Sequence, residues 1–327
     1  MCYLEKSSFH NNNHLKKENS ILKVLAYFDQ FDYPITKEEI AFFLDQNICS
    51  LELSDLLLNL KKSGTIFQAG KFYSLQDDAS LYEKRVRGNI KALPLLKKAD
   101  KISKFLFQFP FVSAVLISGS LSKNFADIDA DIDFFIITKK SRLWVARSFM
   151  HVFKKFTFLF EKQDLYCMNY YIDEQAMQIE EKNEFTATEV FTLMPSSGNN
   201  AVPEFYGNND WVNAYYPNYS IINAEPKNKL SDNLLKKVLE LLFQNSFGDW
   251  LDNYLMKLTI NRWKKKETNN HVNKSGRRIG LRAGKHFCKP NPVFFQKKFL
   301  TKYNIELNEL LKRFEKIKEE EKSAFLN

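Results

Sequence analysis

Two aspartates have the residue type and spacing that best suit chemistry in this 327-residue chain. Asp131 and Asp133 stand at the head of the apolar run Phe134-Phe135-Ile136-Ile137, which is typical of a buried strand. Side chains alternate along a strand, so we expect both carboxylates on one face, about 6.6 Å apart. Two carboxylates placed in this way can hold a Mg²⁺ ion that carries a triphosphate.

A glycine-serine turn lies upstream of the two aspartates. The apolar run at 111–117 predicts a buried strand, and it ends at Ser118-Gly119-Ser120. Gly119 permits a sharp turn, and a short helix is expected to open at Ser120. Backbone N–H groups at the start of a helix can hold a phosphate. The sequence therefore predicts an anion-binding turn beside a pair of carboxylates.

Together these residues resemble the signature of the DNA polymerase β-like nucleotidyltransferase superfamily. The signature is Gly119-Ser120, ten intervening residues, and then Asp131-Ile132-Asp133-Phe134. The resemblance covers residues 110–195 and implies an α/β domain with a small mixed sheet. It implies that Asp131 and Asp133 hold Mg²⁺ or Mn²⁺, and that Gly119 and Ser120 grip the β- and γ-phosphates of an NTP such as ATP. Ser122 and Lys123 are weaker candidates for phosphate contacts.

Four aspartates stand at every second position here, because Asp127 and Asp129 continue the alternation upstream. We assign the metal-binding pair to Asp131 and Asp133, where the apolar strand starts. The earlier pair also lies too close to Ser120 for the spacing of the superfamily.

The superfamily usually places a third carboxylate on a later strand. The matching run at 165–172 carries Asn169 where an aspartate is expected. Asp173 lies four residues on, on the same face of the predicted strand. Either Asn169 or Asp173 would complete the metal shell, with Asp173 as the third catalytic carboxylate. Asn169 cannot act as a base, so the residue that activates the acceptor stays open.

Composition indicates a packed globular protein, because 44% of the residues are hydrophobic and thirty are phenylalanine. No apolar run approaches the ~20 residues of a membrane span, and the polar N-terminus has no signal-peptide core. We therefore expect a cytoplasmic protein without a membrane partner. The four cysteines and five histidines show no metal or disulfide spacing. The net charge of +9 favours an anionic partner.

The overall pattern predicts an α+β, or mixed, chain of several parts. Residues 1–18 are polar and predict a disordered tail. Residues 19–78 predict three helices and a hairpin, with a capping box at Thr36–Glu39, and this order resembles the winged-helix family. Acidic Glu52 and Asp55 on its third helix disfavour DNA reading. Residues 79–109 predict a basic connecting helix.

Residues 196–327 predict a mostly helical C-terminal region after a loop-like stretch at 196–226. The segment between Glu267 and Glu306 has nine basic residues and no acidic one. Its part at 274–292 is rich in glycine and predicts a flexible basic loop. We expect Arg282 and Lys285 in this loop to clamp a triphosphate or a phosphorylated acceptor.

The resemblance and the residues together predict a Mg²⁺-dependent nucleotidyltransferase that moves an NMP from an NTP to an acceptor and releases pyrophosphate. The acceptor, a small molecule, a protein or an RNA, is not identified by the sequence. The alternative is a catalytically impaired nucleotide-binding or regulatory protein that docks a partner or nucleic acid through its winged helix and basic segments. A nucleic-acid partner stays open and is not favoured.

Overall fold

The computed structural model describes residues 2–128, 130–157, 165–218, 224–269, 272, 279–292 and 295–326. In these ranges the fold is mixed α/β, with two β-sheets and helices. The chain divides into a first unit, Met1–Arg87 with Trp211–Ser220 and Gln296–Asn327, and a second unit, Gly88–Asp210 with Ile221–Phe295.

In chain order, the elements are α1 (Cys2–Asp29), β1 (Ile35–Thr36), α2 (Lys37–Phe43), α3 (Ser50–Lys62), β2 (Phe67–Ala69), β3 (Phe72–Ser74), α4 (Ala79–Phe107), β4 (Val112–Ser118), α5 (Gly119–Ser122), β5 (Asp133–Thr138), α6 (Leu143–Thr157), β6 (Cys167–Asp173), α7 (Glu184–Phe191), β7 (Met194–Gly198), α8 (Ala201–Asn208), a 3-10 helix (Asp210–Ala214), β8 (Asn228–Lys229), α9 (Leu234–Phe243), α10 (Ser246–Thr268), β9 (Ile279–Ala283), β10 (Phe287–Pro292) and α11 (Phe295–Leu326).

The first unit contains the helices and the hairpin that the sequence predicts over 19–78. Thr36 and Glu39 form the predicted capping box at the start of α2, because each side chain bonds the backbone N–H of the other. The strands β2 and β3 pair antiparallel, and β1 adds a third strand in the order β1-β3-β2. The apolar face of α3 is buried, as its periodicity predicts.

The tail predicted over residues 1–18 needs correction, because α1 begins at Cys2. Tertiary contacts hold α1 at Lys17 and Glu18. Lys17 forms an ion pair with Glu52 at 2.5 Å, and the buried Glu18 pairs with Lys318 at 3.1 Å. Contacts between residues so far apart in the chain are not visible in local composition, which is why the polar sequence predicted a tail.

The second unit is organised around one seven-stranded sheet in the order β8-β7-β4-β5-β6-β10-β9. It is mixed, because the pairs β5–β6 and β7–β8 are parallel and the others are antiparallel. The observed sheet is therefore larger than the small one predicted within residues 110–195. Strands β8, β9 and β10 come from the region predicted to be mostly helical, and the loop-like stretch at 196–226 contains α8 and most of β7.

The predicted flexible loop at 274–292 also needs correction over its described part. Residues 279–292 form the hairpin of β9 and β10, closed by a bond from Gly284 N to Phe287 O at 2.9 Å. Residues 274–278 lie outside the described residues. The hairpin pairs with β6 through Phe287 and Cys288. The segment is therefore a pair of strands because it bonds to a strand distant in the chain, whereas its glycines alone suggest a loop.

Both faces of the sheet are covered. On one face Phe134, Ile136 and Tyr171 pack with Trp144 and Met150 of α6. On the other face Phe135 contacts Tyr170 and Phe205, with ring centroids 4.9 and 5.0 Å apart. A sheet buried on both sides is rigid, and it fixes the ends of β4, β5 and β6 relative to one another.

Helices α9 and α10 lie in the region that the sequence predicts to be mostly helical, but the apolar side of α9 faces outward. Leu234 and Leu241 of α9 are exposed, whereas Lys236 and Glu240 are buried. No helix of the described chain is long and apolar enough to cross a membrane.

Candidate functional site

The turn at Gly119 opens the candidate site. Strand β4 delivers the chain to Gly119, whose φ of +70° is a backbone conformation that residues with a side chain rarely adopt. A Cβ at this position would also collide with the carboxylate of Asp133. Both the backbone angle and the close approach of Asp133 therefore require glycine here.

Asp133 is the first residue of β5 and lies opposite Ser118 in the antiparallel register of β4 and β5. This register brings its carboxylate against the glycine turn. Asp131 stands two residues earlier and is exposed, and the fully buried Ile132 lies between the two aspartates. The structure thus brings Gly119 and Asp133 together, whereas Asp131 precedes the strand.

Asn169 reaches the same carboxylate through an irregularity in β6. The parallel register passes from the pair Phe134–Met168 to the pair Phe135–Tyr170, so Asn169 is an extra residue in a bulge. Its Nδ2 donates a hydrogen bond to Oδ1 of Asp133, and its Oδ1 accepts from the Cys167 thiol at 3.0 Å. Burial raises the pKa of Cys167 to about 12, so this thiol stays protonated and can donate.

The remaining residues predicted to hold phosphate lie in or beside α5. Ser120 is exposed. Ser122 donates its hydroxyl to the carbonyl of Gly119 at 2.9 Å. The ammonium of Lys123 bonds the same carbonyl at 3.3 Å and pairs with Glu189 at 2.9 Å. Ser122 and Lys123 therefore brace the turn.

A cavity of about 270 Å³ lies in front of this group. Its polar end contains Ser118, Gly119, Asp133 and Asn169. The rest is mainly apolar and aromatic, with α7 forming one wall. That part is lined by Phe135, Tyr170, Ile179, Phe185, Thr186, Glu189, Val190, Leu193, Lys289 and Phe295. A pocket with one polar end and an apolar body suits a ligand that has a charged part and a ring.

The carboxylate at the polar end is electrostatically unfavourable. Burial raises the pKa of Asp133 to about 7, and the negative charges of Asp131 and Glu189 act in the same direction. A cation at this point would relieve both the desolvation and the repulsion. Perturbed carboxyl groups in a cleft are frequent at functional sites.

Comparison with family models, with curated proteins and with solved structures gives no match to this chain. Among the described residues, no three His, Cys, Asp or Glu side chains group as a metal site. Mg²⁺ commonly takes only one or two carboxylates and completes its shell with water and substrate phosphates, so this absence does not exclude it.

Asp173 does not belong to the site, and its prediction as third carboxylate needs correction. It pairs with Thr138 at the far end of β5, about 17 Å along the strand from Asp133. The bulge at Asn169 also reverses the alternation, so Asp173 lies on the opposite face of the sheet. Its buried carboxylate bonds Nδ1 of His286 at 2.9 Å and the backbone N–H of Ser141 at 3.1 Å.

Arg282 and Lys285 do not reach Asp133 either. They line a second cavity of about 230 Å³, which shares Tyr170, Ile179 and Lys289 with the first. Arg282 lies on β9 and forms an ion pair with Glu181. The structure therefore does not place these two basic residues at the polar end of the first cavity.

Two residues of the first cavity, Glu189 and Lys289, are absent from the predicted site. The ammonium of Lys289 lies 5.3 Å from the centre of the Tyr170 ring and 3.6 Å from Glu181. Burial lowers its pKa. Lys289 belongs to the basic segment, so its charge could have marked it as a candidate. Its position could not be predicted, because it depends on the pairing of β10 with the distant strand β6. No sequence motif marked Glu189 as a candidate site residue.

Replacement of Gly119 by alanine is expected to destabilise the protein by about 2 kcal/mol or more, because it adds backbone strain and a clash with Asp133. Gly207→Ala is the matched control, since a Cβ there meets nothing within 4 Å in helix α8. The control should stabilise by up to about 1 kcal/mol. Urea unfolding measures both, and equal effects of the two substitutions would contradict the geometry.

Replacement of Asp133 by asparagine is expected to stabilise the metal-free protein at pH 8 and to change its stability little at pH 4. The pKa of Asp133 rises from 3.8 to about 7 on folding, so the native state retains a proton that the unfolded state releases. The free energy of unfolding of the wild type therefore falls as the pH rises from about 4 to about 7. We expect a gain of about 2 kcal/mol at pH 8, discounted for partial exposure.

Urea unfolding in a chelator at both pH values tests this, with Asp127→Asn at an exposed site as the control. A constant difference between wild type and Asp133→Asn across the range would show that Asp133 is an ordinary carboxylate.

Proposed function

We propose that the second unit is a nucleotidyltransferase that transfers an NMP from an NTP to an acceptor. The observation that supports this best is the contact between the Gly119 turn and the Asp133 carboxylate at the polar end of one cavity. A buried carboxylate and a glycine turn at one end of a cleft suit a polyphosphate with its metal ion.

Asp131 and Asp133 would hold Mg²⁺, or Mn²⁺ in its place. When bound, the ion supplies neutralisation of charge on the α-phosphate and on the leaving pyrophosphate. The crowding of Asp133 by Asp131 and Glu189 supports a cation at this point. Asn169 orients the Asp133 carboxylate by donating to one of its oxygens.

The chain's own groups bind and orient the substrate. The turn at Gly119 and Ser120 presents backbone N–H groups toward the β- and γ-phosphates, and Ser122 and Lys123 hold the carbonyl of that turn. The aromatic side chains of Phe135, Tyr170 and Phe185 suit the base and ribose, and they exclude water from the phosphate end.

The reaction forms a bond between an acceptor oxygen and the α-phosphorus and breaks the bond to the pyrophosphate oxygen. The acceptor loses its proton in this step. The amide of Asn169 cannot take that proton, and Asp173 is about 17 Å away along the strands. The residue that receives this proton is therefore not Asp173, and it stays open, as it did in the sequence.

The first unit is proposed to be a winged-helix module that docks a partner. The order of α1, β1, α2, α3, β2 and β3 supports this. The exposed Asp55 of α3 would repel phosphates, which favours a protein partner over DNA, although Lys17 already compensates the charge of Glu52. A cytoplasmic location, where NTPs and Mg²⁺ are present, goes with the proposal.

A second candidate function is supported by Asn169. An amide stands where the superfamily has a carboxylate, and the described residues contain no third acidic metal ligand beside Asp131 and Asp133. Such a site can retain nucleotide without efficient transfer. The protein would then be a nucleotide-binding regulator that docks a partner or nucleic acid through its first unit and its basic segments.

Replacement of both Asp131 and Asp133 by asparagine is expected to lower nucleotidyl transfer by about 10³-fold, because charge neutralisation at the phosphates is lost. The measurement incubates the protein with α-labelled NTPs and a cell extract and counts the label that is transferred. Asp127→Asn, at an exposed aspartate just upstream, is the matched control and should keep the wild-type rate.

Undiminished transfer by the double variant would refute the enzyme proposal. Mg²⁺-dependent NTP binding by the wild type without any transfer of label would favour the second candidate. Circular dichroism of the wild type and both variants separates loss of chemistry from loss of folding.

A further inference from the structure

Helix α9 presents its apolar side to solvent. Leu234 and Leu241 are 78% and 76% exposed, and Leu235, Val238 and Leu242 are exposed beside them. These five residues occupy one side of the helix, as their spacing requires. A contiguous group of this kind is uncommon on a protein surface that contacts only water.

Buried charges fix this orientation. The ammonium of Lys236 donates to the carbonyls of Phe107 and Val112 at 2.9 and 2.6 Å, and it pairs with Asp232 at 2.6 Å. The carboxylate of Glu240 accepts from the backbone N–H of Phe111 at 2.7 Å. Turning the helix over to bury its leucines would break these bonds and leave charges without partners in the interior, which is costly.

A row of exposed aromatic rings begins α10, and Phe243 at the end of α9 meets it with its ring centroid 6.2 Å from that of Phe247. Phe247, Trp250 and Tyr254 stack in a row, with successive centroids 5.6 and 5.5 Å apart. Each of these side chains is about half exposed. We call the combined surface the α9–α10 face, and it consists of Leu234, Leu235, Val238, Leu241, Leu242, Phe247, Trp250 and Tyr254.

Positive charge follows the aromatic row along α10. Lys257, Lys264 and Lys265 are exposed and recur at helical spacing after Trp250 and Tyr254, so they lie on the same side of the helix. Arg262 and Lys266 are also exposed. The two exposed acidic residues of α10 are engaged elsewhere, because Asp249 pairs with Arg142 and Glu267 accepts from the backbone of Leu281.

We propose that the α9–α10 face is a docking surface for a membrane with anionic headgroups. Leucines suit the acyl boundary, tryptophan and tyrosine rings suit the level of the headgroups, and lysines attract anionic lipid. Residues of α9 and α10 line neither the first cavity, which contains Asp133, nor the second, which contains Arg282. The outward side of a helix is suited to contact with a flat surface and not to enclosing a small ligand. The inference is independent of the nucleotidyltransferase proposal.

A protein that binds the surface of a membrane needs no membrane-spanning helix. The proposal therefore agrees with the finding that no helix of the described chain could span a membrane. It departs from the sequence expectation of no membrane partner. That expectation considered the length of apolar runs, which detects a helix that spans a membrane and misses one that lies on its surface.

Sedimentation of the full-length protein with vesicles tests the proposal. One set contains phosphatidylcholine alone, and the other contains phosphatidylcholine with about 30% phosphatidylglycerol, a fraction that gives a strongly negative surface. We expect partitioning onto the anionic vesicles to exceed that onto the neutral ones by at least about tenfold, and to weaken as salt is added.

The variant Leu235→Gln with Leu241→Gln removes two apolar contacts and should lower partitioning by about tenfold or more. Both side chains are exposed, so the fold should tolerate the change. Leu51→Gln with Leu58→Gln is the matched control, because these leucines are 81% and 48% exposed on α3. The control should bind as the wild type does. Lys264→Gln with Lys265→Gln should lower binding to anionic vesicles alone, by about fivefold for each lysine.

Three results would overturn the proposal. The first is no partitioning onto either vesicle. The second is partitioning that the α9–α10 variants leave unchanged, which would assign binding to another surface. The third is a mass of two chains by light scattering that becomes one chain in Leu235→Gln with Leu241→Gln, because a second copy would then cover the face.

Discussion

The close approach of the Asp133 carboxylate to the Gly119 turn is the constraint on which the candidate site depends. One carboxylate oxygen faces a position where even a Cβ cannot fit, and the other accepts a hydrogen bond from Asn169. Burial and the neighbouring acids Asp131 and Glu189 make the ionised form unfavourable without a cation. An arrangement that costs stability and leaves an open cavity beside it is typical of a binding site, where function opposes stability.

The sheet produces this contact. The antiparallel register of β4 and β5 sets Ser118 opposite Asp133, and the parallel register of β5 and β6 sets Cys167 beside it. The bulge in β6 then directs Asn169 toward Asp133, in the way that bulges commonly re-aim a side chain near a functional site. Helices cover both faces of the sheet, so the three strand ends cannot shift independently. Strand β10, which comes late in the chain, completes the cavity with Lys289.

Features that depend only on neighbouring residues could be predicted from the sequence. Gly119, Asp133 and the capping box at Thr36 follow from turn chemistry, strand periodicity and capping, and the structure has the turn, a strand that starts at Asp133 and the cap. Asp131, which was predicted to lie on the same strand, precedes it. Asp173 was misplaced because one extra residue at a bulge reverses the faces of a strand, and alternation alone cannot reveal it. The strands β7 to β10 depend on pairing with distant segments. The outward face of α9 depends on buried Lys236 and Glu240, whose partners are remote in sequence.

Calorimetric titration of the wild-type protein with each of the four NTPs, in Mg²⁺ and in a chelator, tests the central claim most directly. We predict that at least one NTP binds at one site per chain in Mg²⁺ and that its affinity falls by about tenfold or more in the chelator, because the crowded carboxylates then repel the phosphates. Equal affinity in both conditions, or no binding of any NTP, would contradict the proposal that Asp131 and Asp133 hold a metal ion and its nucleotide.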